Sequence, residues 1–179
     1  MTEMTSMGID LSATATGLVI LKATGQAKPE LLLEDEIKSG SRTGLDRARH
    51  VVTQVMEAIH AHKPDRLVVE GYSLNTRNAS SIIPLVEIGG LLRFMLMIDG
   101  LSWLDPRASE VKKFATGKGN SQKDQVMMWV LKRWDHTSAT NNTADAFVLA
   151  AMGLAFANRL PGITQPMRAI VGGLKLRTK

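Results

Sequence analysis

Three carboxylates stand where an acid is costly. Asp10 sits in the middle of an apolar run (Met7, Ile9), Glu70 closes the run Arg66–Glu70 (RLVVE), and Asp145 opens an apolar helix beside Asn142. A charge on an element heading for the core needs a partner, and a cation or metal ion is the cheapest one for a carboxylate. If the strands carrying Asp10 and Glu70 lie side by side, both acids reach the same end of a sheet, and a helix packed on that sheet can deliver Asp145 to them. Hard oxygens clustered in this way suit Mg²⁺ or Mn²⁺, with positions left for water and phosphate. Each acid alone has a plainer reading: Asp145 complements a helix dipole and Glu70 caps a turn.

The elements that must hold these acids follow from the pattern of the chain. Residues 7–21 read as two antiparallel strands joined by the small polar turn Ser12–Thr16, and Glu30–Ile37 reads as a third strand. Leu45, Ala48, Val52, Val55 and Ile59 recur at helical spacing up to Lys63-Pro64, before the strand that ends at Glu70. A helix over Ile82–Ile98 with Gly89-Gly90 inside it, a short strand over Ser102–Leu104, and helices over 109–115, 122–134 and 143–158 complete the order. Within 122–134, Val126, Trp129, Val130 and Trp134 are expected to face inward. The paired glycines are expected to admit another backbone, including that of a second subunit. Three antiparallel strands followed by parallel ones, interspersed with helices, make an α/β layer architecture with a mixed five-stranded sheet.

Composition narrows the chemistry further. The 179 residues contain no cysteine, which excludes disulfides and thiolate chemistry, and the four histidines lack a metal-ligand spacing. No apolar run approaches the roughly 18 residues of a membrane span, and no signal segment opens the chain, so a soluble, intracellular, cytoplasmic protein is expected. The net charge of +5 is unevenly spread. Residues 1–104 hold 10 basic and 12 acidic side chains, whereas residues 105–179 hold 12 and 5. A basic second half suits a polyanion such as DNA. The stretch TGKGNSQK at 116–123 lacks the spacing of a P-loop.

Four segments in order resemble the RuvC-type Holliday junction resolvases of the ribonuclease H-like superfamily: GIDLSATATG (8–17), VVEGY (68–72), SEVKKFATGKGNSQKDQV (109–126) and NNTADAFVLAAMG (141–153). The resemblance implies a ribonuclease H-like nuclease domain, placed over residues 1–159, and the prolines, glycines and basic residues of 160–179 read as a basic, flexible tail. It implies a Mg²⁺-dependent homodimeric endonuclease, with Mn²⁺ able to substitute, that cuts four-way DNA junctions with two ions per site. The family's acids fall on Asp10, Glu70 and Asp145, and its fourth ligand position, usually Asp or His, falls on Asn142. Lys112 and Lys123 fall on the family's basic positions; Lys123 suits the scissile phosphate, while Lys112, Lys113 and Lys118 suit flanking phosphates. Tyr72 lies where the family presents a base-stacking aromatic, and Arg77 in the same loop is a phosphate contact. The Ile82–Ile98 helix is the candidate dimer interface. Three other readings remain open: a broader flap or fork nuclease, a junction-binding module with a weakened site, and a sugar-kinase-like phosphate hairpin. The kinase-like reading lacks the second domain it would need.

Overall fold

The computed structural model describes residues 3–25, 27–72 and 79–178. Its five-stranded sheet has the order β3-β2-β1-β4-β5, from β1 (Met4–Asp10), β2 (Ala15–Ala23), β3 (Glu30–Lys38), β4 (Arg66–Val69) and β5 (Trp103–Leu104). The pairs β1–β2 and β2–β3 are antiparallel, while β1–β4 and β4–β5 are parallel. The mixed sheet is therefore the one expected from the sequence.

Side chains alternate across the strands and divide the core into two layers. Met7, Ile9, Leu18, Ile20, Leu67 and Val69 face α1 (Gly44–His62) and α2 (Ala79–Ile98). Val19, Leu21, Val68 and Leu104 face α3 (Ala108–Thr116), α4 (Lys123–Trp134), α5 (Asn141–Phe156) and α6 (Gln165–Gly172). α1 forms because Ala48, Val51, Val52, Val55, Met56 and Ile59 share one buried stripe, and it stops at Lys63, left-handed just before Pro64.

The central element is α5. Its small residues let it lie directly on the sheet: a Cβ at Gly8 would overlap the Ala146 carbonyl and the Ala150 amide, and one at Gly17 would overlap the Asn142 backbone. Two glycines on neighbouring strands thus set the height of the helix that carries Asp145.

Two sequence expectations change. The segment expected as a loose tail is packed where it is described, over 160–178: α6 buries Met167 and Val171, Leu160 is buried with them, and Arg177 pairs with Trp103 on β5 and with Asp105. The reason is tertiary, since the apolar side chains of this short helix join the layer built on α5. Trp129 does not join the core. It is half-buried under the guanidinium of Arg133 and the ammonium of Lys132, while Val126, Val130 and Trp134 point inward.

Candidate active site

Asp10 is the last residue of β1, and Glu70 follows the last residue of β4. The parallel register pairs Ile9 with Val69, and the Glu70 amide donates to the Ile9 carbonyl at 3.1 Å, so the next residue on each strand is a neighbour. Both acids lie in the same alternation as Gly8 and Val68, the face covered by α5. Asp145 arrives from that helix. It is the fifth residue of α5 rather than part of its first turn, because Thr140 caps the helix, accepting from the Thr143 amide at 3.2 Å, and α5 begins at Asn141. The dipole-complement reading of Asp145 loses its ground with that shift.

The electrostatics show that the three acids form one group. The Asp10 carboxyl is held well above the usual carboxylate range, first by burial, then by a hydrogen bond and repulsion from Glu70, then by repulsion from Asp145, against the opposing charge of Lys123. Asp145 is pushed up to about 6, by burial first and by Glu70 second, opposed by Lys123 and Lys112. One oxygen of Asp145, Oδ1, is buried without a hydrogen-bond partner. Among the described residues, no three carboxylate or imidazole side chains yet close around an ion-sized space. The acids are coupled to one another rather than caged.

This donor set fits a divalent cation. Three hard, mutually repelling carboxylates with an orphaned buried oxygen lack a positive charge at their centre, and nearby lysines offset only part of that deficit.

The other sequence-derived residues divide. Lys123, the first residue of α4, and Lys112 on α3 reach the acids electrostatically. Lys113 and Lys118 are exposed on α3 and the loop after it, where the Lys118 carbonyl accepts from the hydroxyls of Thr116 and Ser121. Asn142 donates its amide Nδ2 to Glu36 at 3.0 Å, which leaves only its oxygen to serve as a ligand. Tyr72 is exposed at the edge of an apolar slot lined by Leu11, Glu70, Ile82, Leu85 and Val86. Arg77 lies outside the described residues.

Gly89 serves a different neighbour from the one expected. Its missing side chain leaves room for the Tyr72 ring and the end of Arg93, so the close approach is within the chain. Sequence reasoning also missed Glu36. It sits in the run Glu34-Asp35-Glu36 on an edge strand, a pattern that reads as solvated charge.

Comparison with known proteins shows the family. The family model of crossover junction endodeoxyribonuclease RuvC matches residues 6–153. This chain belongs to the RuvC family. A RuvC from Pseudomonas paraeruginosa is 31% identical over 125 residues, covering 70% of this chain and 71% of its own length. One from Erythrobacter litoralis is 28% identical over 155 residues, covering 85% and 91%. The structure of Thermus thermophilus RuvC in complex with Holliday junction substrate has a TM-score of 0.75 at 22% identity, over 97% of this chain and 99% of that one. The yeast mitochondrial Holliday junction resolvase Ydc2 matches with a TM-score of 0.61 at 12% identity, over 93% and 80%. These structural likenesses are of fold. The RuvC match spans Asp10, Glu70, Asn142 and Asp145 alike.

Proposed function

We propose that this protein is a divalent-metal-dependent endonuclease that resolves four-way DNA junctions by paired strand cuts. The observation that carries the reading is the convergence of Asp10, Glu70 and Asp145 at one end of the sheet, with Lys123 and Lys112 beside them. Membership of the RuvC family supplies the substrate class.

Asp10, Glu70 and Asp145, with Asn142 through its oxygen, would hold Mg²⁺, or Mn²⁺ in its place, as two ions per site. Such ions supply Lewis acidity to the attacking water and to the departing 3′ oxygen of the phosphodiester. The carboxylates fix the site on rigid strand ends and a helix seated on glycine, so little reorganisation accompanies the reaction. Lys123 meets the scissile phosphate and offsets the charge that grows on it. Lys112, Lys113 and Lys118 grip flanking phosphates, which positions the duplex arms without reading sequence. Tyr72 stacks on an unpaired base at the junction, worth about 1–3 kcal/mol.

The working unit is a homodimer, since paired cuts need two sites. The outer face of α2 exposes Ile83, Val86, Phe94, Met97 and Ile98, while Ile88, Leu92 and Leu96 are fully buried. That outer face is apolar apart from Glu87, and a contiguous exposed apolar face calls for a second partner.

The test is cleavage of a synthetic four-way junction in Mg²⁺. Wild type is expected to cut it, and Asp10→Asn or Glu70→Gln to abolish cutting while mobility-shift binding survives. The neutral Asn142 favours one rival, a junction-binding protein with a weakened site. Binding with no cutting in either Mg²⁺ or Mn²⁺ would decide for it, and equal cutting of flaps and forks would broaden the substrate.

A further inference from the structure

We propose that Glu36 is a positioning residue of the metal site, one that orients the Asn142 amide so that its oxygen is presented to the cation. The inference rests on the metal-dependent reading above. An ionised carboxylate can only accept hydrogen bonds, so the Asn142 group that faces Glu36 at 3.0 Å must be the Nδ2 amine. The amide cannot flip without setting two oxygens against each other, and Oδ1 is therefore turned away from Glu36.

The backbone places Glu36 for this task. Glu36 pairs with Gly17, and Gly17 with Asp10, so the two acids lie in one row on the same face, about 10 Å apart by strand spacing. Gly17, between them, has no side chain, and the first turn of α5 occupies the space above it. Glu36 and Asp10 thus flank the helix start from opposite sides. The Glu36 oxygen that holds Asn142 also accepts from the Thr140 hydroxyl at 2.8 Å, which ties the amide's orientation to the residue that caps α5. Two residues earlier on the same strand and face, Glu34 accepts from the Ala139 amide at 2.8 Å and lies 3.0 Å from His136, which stacks on Phe147. The segment before α5 is anchored to β3 independently of Glu36.

A neutral amide is a weaker ligand than the carboxylate or imidazole usual at this family position. A hydrogen bond from its N–H to a carboxylate draws electron density toward the oxygen and fixes its direction, which compensates in part. Partners of this kind typically change metal affinity by about 10- to 100-fold.

The experiment is calorimetric titration of Mn²⁺ into the full chain for wild type, E36A, E36Q, N142L and E36A/N142L, with thermal melts as the control for folding. E36A is expected to weaken Mn²⁺ binding about tenfold or more. E36Q should restore most of it, because a glutamine oxygen accepts the same two bonds. N142L should lose a similar amount, and the double variant should be no weaker than N142L, because Glu36 acts through Asn142. E36A binding as tightly as wild type would overturn the proposal, as would E36Q losing as much as E36A or the double variant losing both effects in full. If E36A does not fold, unchanged Mn²⁺ affinity in the nearly isosteric N142L overturns it. Wild type that takes up no Mn²⁺ removes the metal-dependent reading itself, and this proposal with it.

Discussion

The Arg93 guanidinium lies 4.4 Å from the centre of the Tyr72 ring, and the same side chain donates to the Glu70 carbonyl at 2.9 Å and the Gly89 carbonyl at 3.1 Å. An aromatic at the mouth of the candidate site and the backbone of one of its three acids are therefore fastened to one point on α2. A cation over an aromatic face contributes about 0.5–2 kcal/mol, enough to bias where the ring rests.

Gly89→Ala tests that fastening. Alanine inside a helix normally stabilises by about 1 kcal/mol relative to glycine. Here the added Cβ would lie 2.8 Å from Tyr72 Cε1 and 2.8 Å from Arg93 Nη1, both at the ends of movable side chains. The fold can absorb the methyl by displacing the ring. The expected result is an unchanged or higher melting temperature together with junction cutting slowed severalfold, read by thermal melts and single-turnover cleavage. An unaltered rate would mean that the seat of Tyr72 has no bearing on cutting.

A pH dependence follows from Asp145. Its carboxyl titrates near 6 in the folded protein against a reference of 3.8, so between those values the folded state binds the proton that the unfolded state has released. Stability of the metal-free protein consequently falls as pH rises from about 4 to 6, and the penalty is complete above that, on the order of 3 kcal/mol. Asp10 is raised in the same direction and adds to it. Asp145→Asn removes one of these charges. Relative to the difference at pH 4, the variant should gain on wild type through pH 6 and then hold level in urea denaturation with EDTA, while its junction cutting is lost. A difference between the two proteins that does not change with pH would sink the assignment.

The acids were legible in the sequence because each breaks an apolar pattern, and a carboxylate inside such a pattern has few structural uses. The sheet was legible for a related reason, since alternation and turn residues fix strands locally. What was not legible depends on contacts distant in the chain. Glu36 reads as one charge among three until the register sets it beside Gly17 and Asn142. Gly89-Gly90 reads as an opening for a foreign backbone until Tyr72 fills it. The helix at Gln165–Gly172 is too short to stand alone, and what holds it is Met167 and Val171 packed with the residues of α5.

Gly8 should tolerate no side chain. A Cβ there meets the Ala146 carbonyl, the Ala150 amide and the Leu149 side chain, two of them backbone groups inside a helix that cannot yield separately. Gly8→Ala must lift α5 from β1, and overpacking of a close-packed core costs about 1–3 kcal/mol or more. Because α5 carries Asp145, the same displacement pulls that acid away from Asp10. Urea denaturation should show the destabilisation, and the folded fraction should cut poorly even in excess Mg²⁺. A variant as stable and active as wild type would show that α5 does not sit on Gly8.

The outer face of α2 gives the last prediction. Ile83 and Phe94 are more than half exposed, at 58% and 56%, with Val86 between them and Met97 and Ile98 beyond. With Gly90 between Val86 and Phe94, these positions follow one stripe at spacings of three and four, opposite the buried Ile88, Leu92 and Leu96, so a flat partner can cover them without disturbing the core. A second copy of the chain is the partner of the homodimer proposed above, and a stable contact of this type buries about 800 Å² on each side. Phe94→Glu places a charge in the middle of the stripe, where an unpaired carboxylate is costly to cover. Light scattering should give wild type a mass near twice the 19.5 kDa of one chain and the variant a mass near 19.5 kDa, with similar melting behaviour at low concentration. The variant should also nick single strands of the junction instead of cutting two in concert. A wild-type protein that stays monomeric with the junction bound would remove α2 as the interface and leave its apolar face to another partner.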